Sequence, residues 1–88
     1  MRQEPDFFGE QDLTLVYIAK RLKDALHLEM LLTEAGTNYL VEPDKYTGGV
    51  LFRSERIGAF FYVASGDERA AHDTMQRAGL KPYDPFQP

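Results

Sequence analysis

The chain sets out its apolar positions twice in the same order. Val16-Tyr17-Ile18-Ala19 opens a strand-then-helix unit that closes at Ala35-Gly36, and Phe61-Tyr62-Val63-Ala64 opens a second that closes at Ala78-Gly79. The alternation over Leu13–Ala19 predicts a strand with Leu13, Leu15, Tyr17 and Ala19 on one face and Thr14, Val16 and Ile18 on the other. Both faces are mostly apolar, as in a strand covered on two sides. Residues Arg21–Ala35 predict a helix with Leu22, Ala25, Leu26, Leu28, Leu32 and Ala35 on one broad stripe and Leu31 outside it. Gly36 supplies the left-handed position that ends such a helix.

A short strand is expected over Asn38–Glu42, stopped by Pro43, with a turn region at Asp44–Gly49. Val50-Leu51-Phe52 reads as strand-like and pairs back as a hairpin, through the polar connection Arg53–Gly58, onto the strongest strand, Ala59–Ala64. There Phe60 and Tyr62 face one way, and Phe61 and Val63 the other. Ser65 and Glu68 have the spacing of a capping box before a helix over Glu68–Ala78, whose stripe of Ala70, Ala71, Thr74, Met75 and Ala78 is small enough to lie close to a sheet. An arm, residues 1–12, precedes this core and carries Phe7-Phe8, which is expected to dock. After a possible edge strand at Leu80-Lys81, a tail over 82–88 is rich in proline, with Tyr83 and Phe86 as expected anchors.

Strand, helix, strand, strand, helix in so short a chain predicts an α+β fold. We read it as a ferredoxin-like split βαβ sandwich over residues 13–81, an antiparallel sheet with two helices on one face. Helices on one side leave the other apolar side bare. A second copy of the chain, meeting it through Leu15, Tyr17, Phe60 and Tyr62, or the two aromatic arms, are the expected covers.

With 88 residues there is room for one core. The net charge of −4 argues against a broad nucleic-acid surface, and the tyrosines and phenylalanines of the sheet lack the basic-glycine-aromatic signature of base-stacking sandwiches. Without cysteine the chain has no disulfide, no thiolate nucleophile and no thiolate zinc site. It fits a reducing cytoplasm. No stretch has the length of a membrane span, and Met1–Pro5 leads into no apolar signal segment.

Leu15–Ala19, the run Leu28-Glu29-Met30-Leu31-Leu32-Thr33-Glu34-Ala35-Gly36-Thr37, and Phe61–Ala64 before an alanine-rich helix resemble a family of small bacterial domains of unknown function labelled as signal transducing proteins. The likeness spans roughly residues 13 to 79 and rests on the hydrophobic order plus one Glu-Ala-Gly. It implies a sandwich like that of the nitrogen-regulatory signalling proteins, and a regulatory role. It brings no catalytic residue. The chain departs from it in the charged stretch Arg53–Arg56 and in its aromatic arms.

Candidate chemistry is sparse. His27 and His72 occupy matching places on the two helices, but they lack metal-ligand spacing and fall on polar faces, as ordinary surface histidines do. No nucleophile elbow, paired carboxylates or nucleotide loop is present, so we assign no catalytic residue, metal or cofactor. Thr47-Gly48-Gly49 reads as a hairpin turn. If a small anion binds, the place to look is there, beside Lys45, Arg53 and Arg56. The leading expectation is a regulatory or protein-interaction module acting as a small homo-oligomer, with a dimer the first form to test. The alternative is a small-molecule or enzymatic site on the open sheet face at a subunit boundary.

Overall fold

The computed structural model describes residues 1–48 and 54–86. The expected strand over Val50–Phe52, together with Gly49 and Arg53 of the anticipated anion site, lies outside the described residues. The elements run α1 (Pro5–Phe8), β1 (Leu13–Ala19), α2 (Leu22–Glu34), β2 (Leu40–Gly48), β3 (Ser54–Ala64), a 3-10 turn (Ser65–Asp67) and α3 (Glu68–Arg77). The fold is α+β. Its sheet is antiparallel and three-stranded, in the order β1-β3-β2.

Both long helices end as their Ala-Gly signatures require. Gly36 and Gly79 stand at φ 76° and 78°. In each case the glycine amide and the next amide reach back to the last turn, Thr37 to the carbonyl of Leu32 and Leu80 to that of Met75, each at 2.9 Å. The capping box does not form. Ser65 Oγ instead meets Thr14 Oγ1 at 2.8 Å and the Asp12 carbonyl at 3.2 Å, so it ties the end of β3 to the start of β1.

One core unites α2, α3 and a single sheet face. Ala25, Leu28, Leu32, Ala71 and Met75 pack with Val16, Ala19, Tyr39, Phe61 and Val63. Phe61 stacks on Tyr39 at 5.8 Å and meets Tyr17 edge-on at 6.4 Å. The predicted α2 stripe is too wide. A helix gives its core about a 100° sector, which Ala25, Leu28 and Leu32 fill. Leu22 and Leu26 therefore stand in solvent, 75% and 56% exposed.

β1 carries the main departure from strict alternation. Leu15 pairs with Tyr62 and Tyr17 with Phe61, leaving Val16 as an extra residue, a β-bulge. A one-residue slip exchanges the faces of everything beyond it. Partners directly opposite share a face, so Leu13, Leu15 and Ile18 lie on the second face with Phe60, Tyr62 and Leu40. Tyr17 does not join them; it sits across from Phe61 on the helix-covered side. The second face is not bare either. Leu40 and Phe60 are buried and Leu15 and Tyr62 half-buried, while the arm's Phe8 is buried, also outside the main cluster.

The hairpin is longer than expected. Pro43 does not stop β2, and the supposed turn Asp44–Gly48 is strand, paired through to Gly48 opposite Ser54. As an edge strand, β2 tolerates a proline whose missing N–H has no second neighbour to serve. β1 ends opposite Ala59, so residues 54–58 and 44–48 continue as a two-stranded overhang.

Both termini are tied down. Gln3 donates to the Tyr39 carbonyl, and Tyr39 to that of Met1, pairing the arm in parallel beside the start of β2. At the other end no strand forms at Leu80-Lys81. Instead the Tyr83 amide donates to the carbonyl of the bulged Val16 at 2.7 Å. Tyr83 is thus held by its main chain rather than by a buried ring, and Phe86 is 90% exposed. No described helix is long and apolar enough to cross a membrane.

Candidate functional site

Where β1 ends, three parts of the chain meet around a cleft of about 700 Å³. Tyr17, Ile18, Lys20 and Arg21 come from the end of β1 and the entry to α2, and Phe60 forms part of the floor. Lys45, Tyr46 and Thr47 belong to the hairpin overhang. Lys81, Pro82, Tyr83 and Asp84 belong to the C-terminal segment held against β1 by the Tyr83–Val16 bond. Each wall follows from a feature already described: β1 stops short of the hairpin, and the bulge holds the tail.

Charge and apolar surface are mixed here in an unusual ratio for this acidic chain. Four cations, Lys20, Arg21, Lys45 and Lys81, face two carboxylates, Asp24 and Asp84. Among the described residues, Lys20, Arg21 and Lys81 enter no ion pair, and Lys45 makes one exposed contact with Glu55 at 3.5 Å. Exposed pairs of that kind contribute little, on the order of 0–1 kcal/mol, so Lys45 is free to turn to a ligand. Lys20 Nζ lies 5.3 Å from the centre of the Tyr46 ring, a cation–π contact between the end of β1 and the overhang. Tyr46 in turn lies close over Gly58, where an added Cβ would stand 3.0 Å from the ring and would push it back. Burial, and then the Asp24 carboxylate, push the Tyr17 phenol above the ordinary tyrosine value, so the hydroxyl keeps its proton as a donor.

Of the residues expected to bind an anion, the structure brings Lys45 and Thr47 to the cleft. Gly48 and Arg56 do not line it; they lie against each other on the overhang, with the Arg56 Cδ 3.2 Å from where a Gly48 Cβ would be. Thr47 and Gly48 are extended and paired with Glu55 and Ser54, so they do not form a turn that could offer a nest of amides. Sequence reasoning missed Lys20, Arg21, Lys81 and Tyr83. Lys20-Arg21 is legible in hindsight as two cations directly after an apolar strand. The other two depend on where the tail returns, which no local pattern encodes.

A second, shallower depression of about 460 Å³ opens on the other sheet face between Leu13, Leu40, Glu42, Pro43, Asp44 and Tyr62. Burial first, then Asp44 and Glu42, raise the Tyr62 phenol. Leu15, Phe60 and Tyr62, expected at a subunit interface, share this face; Tyr17 does not. Of the two histidines, His27 is exposed on α2, while His72 is half-buried with Nε2 buried and unpartnered. No group of three metal-ligating side chains occurs among the described residues. No family model, no curated protein and no solved structure matches the chain.

Proposed function

We propose that this chain is a non-catalytic regulatory module whose cleft at the end of β1 binds a small anion carrying a flat, apolar part. One observation carries the reading: four cations, three of them in no ion pair among the described residues, converge with tyrosines in a cleft of an otherwise acidic protein. Lysine and arginine supply charge-assisted donors to a phosphate or carboxylate. Tyr46, Tyr17 and Phe60 supply the apolar surface for a ring. Among the described residues the cleft pairs no nucleophile with a base, and burial holds the Tyr17 phenol protonated, which favours binding over chemistry.

We also infer a ferredoxin-like architecture for the fold. The split β1-α2-β2 arrangement with β3 inserted supports it, and the C-terminal segment takes the place beside β1 where a fourth strand would stand. A cytoplasmic regulatory role, as the family resemblance implies, accords with a cysteine-free chain. Self-association of the module remains part of the reading.

Calorimetric titration with inorganic phosphate, benzoate and a nucleoside monophosphate tests the site. The ring-bearing anions are expected to bind at least about tenfold more tightly than phosphate, a difference of about 1.4 kcal/mol. Lys20→Ala and Lys81→Ala should each weaken them by a similar factor. Absence of heat with all three at millimolar concentration overturns the reading, as does binding indifferent to both substitutions.

A further inference from the structure

α2 carries more apolar surface than its own core uses. Leu22, Leu26 and Met30 are 75%, 56% and 51% exposed. At about 100° per residue they fall in one ~80° sector along the helix, a continuous ridge at i, i+4 and i+8. The two borders of that ridge differ. On one side Glu29 is engaged within the chain, with Arg2 at 3.8 Å and the Tyr39 hydroxyl at 3.2 Å, so the arm stands there. On the other side Lys23 and Glu34 are exposed and, among the described residues, in no ion pair.

The order of these charges is the wrong one for a solitary helix. Arg21 and Lys23 stand at its N-terminal end, against Asp24 alone, and Glu34 stands in the last turn, where no basic residue occurs. The helix dipole favours the reverse, acids at the start and bases at the end. A neighbouring helix of the same sequence, running antiparallel, removes the conflict, because each basic end then lies beside an acidic end. The spacing also fits. The pair Lys23 and Glu34 and the pair Leu26 and Met30 are centred within one residue of each other, near Leu28. A single two-fold axis at that level sets Leu26 on Met30 of the partner subunit and Lys23 beside Glu34 of the partner subunit.

The geometry points to the Leu22-Leu26-Met30 face of α2 as a self-complementary docking surface for a second copy of this chain, packed antiparallel about a two-fold axis. It goes beyond the ligand reading and is independent of it, since α2 meets the cleft only at its first turn. It also moves self-association from the sheet face, where Leu40 and Phe60 are already buried within one chain, to the helical layer. Two helices about 20 Å long cover less than the ~800 Å² per partner of a stable interface, so the dimer is concentration-dependent rather than permanent.

Sedimentation equilibrium on the full chain from about 1 µM to about 1 mM reads the association directly. The wild type is expected to pass from monomer to dimer in that range. Leu26→Lys should leave a monomer throughout, with its circular dichroism and urea midpoint unchanged as proof of folding. Lys23→Glu and Glu34→Lys, each placing two like-charge contacts across the axis, should weaken the dimer about fivefold or more, and the double exchange should restore it to within about twofold. A wild type that stays monomeric overturns the proposal. So does a dimer indifferent to Leu26→Lys, which places the contact on another face, or a double exchange that fails to recover. Because these readouts contain no ligand, loss of the anion site leaves them unaffected.

Discussion

α2 and α3 lie on the same sheet face and stop with the same glycine device, yet they use their side chains differently. α3 buries Ala71, Thr74 and Met75 and, among the described residues, shows no large apolar group to solvent. Its small residues let it approach the sheet closely, and its remaining surface is polar. α2 fills the core with Ala25, Leu28 and Leu32 and still has two leucines and a methionine outside. A helix satisfied by its own domain looks like α3. The surplus on α2 is the surface that the proposed dimer would use.

That contrast can be broken at several points. Leu28 is completely buried, so Leu28→Ala should cost about 2–5 kcal/mol through lost transfer energy and the cavity left behind. Urea unfolding at low protein concentration checks it; a loss under about 1 kcal/mol would mean that α2 is held by something other than this row. On α3 the close approach predicts the opposite sensitivity. Ala71 is fully enclosed, and Ala71→Leu should cost about 1–3 kcal/mol by overpacking, where the same change at exposed Ala70 should be nearly silent in the same assay.

A smaller effect depends on pH and sits where β1 meets the first turn of α2. The half-buried Tyr17 phenol titrates above its unfolded value, through burial first and then the Asp24 carboxylate. The folded state therefore holds this proton more firmly, and the associated stability is complete below the ordinary tyrosine pKa of about 10 and declines as pH rises through the folded value. Urea midpoints measured either side of that pH should fall less in Tyr17→Phe than in the wild type. Part of the decline should remain, because Tyr39 and Tyr62 are raised by burial as well. Smallest of all, Leu26→Ala should change monomer stability by no more than about 0.5 kcal/mol, at most about a quarter of the loss at Leu28 two positions along. A large loss there would show that the ridge supports the monomer after all.

The helices and the strand-bearing segments were legible because their periodicities are strong and glycine marks where each helix ends. Leu22–Glu34 and Glu68–Arg77 lie within a residue of expectation. The faces of β1 were not legible, since period-two reading assumes an unbroken ladder and nothing in Leu13–Ala19 announces the extra residue at Val16. Pro43 misled because a proline stops a central strand but not an edge, and edge status is a property of the whole sheet. The cleft was half-visible. Lys45 and Thr47 came from a local motif, whereas Lys81 and Tyr83 reach it only through the long-range hydrogen bond to Val16.

The bulge has one more effect. The two strand–helix units look like copies, but they are not interchangeable parts. A chimera in which the unbulged Phe61–Ala64 register replaced that of β1 would turn Tyr17 outward and Ile18 inward, and would withdraw the carbonyl that the tail grips. The two units share one plan of strand and helix, and a single surplus residue gives their strands different faces.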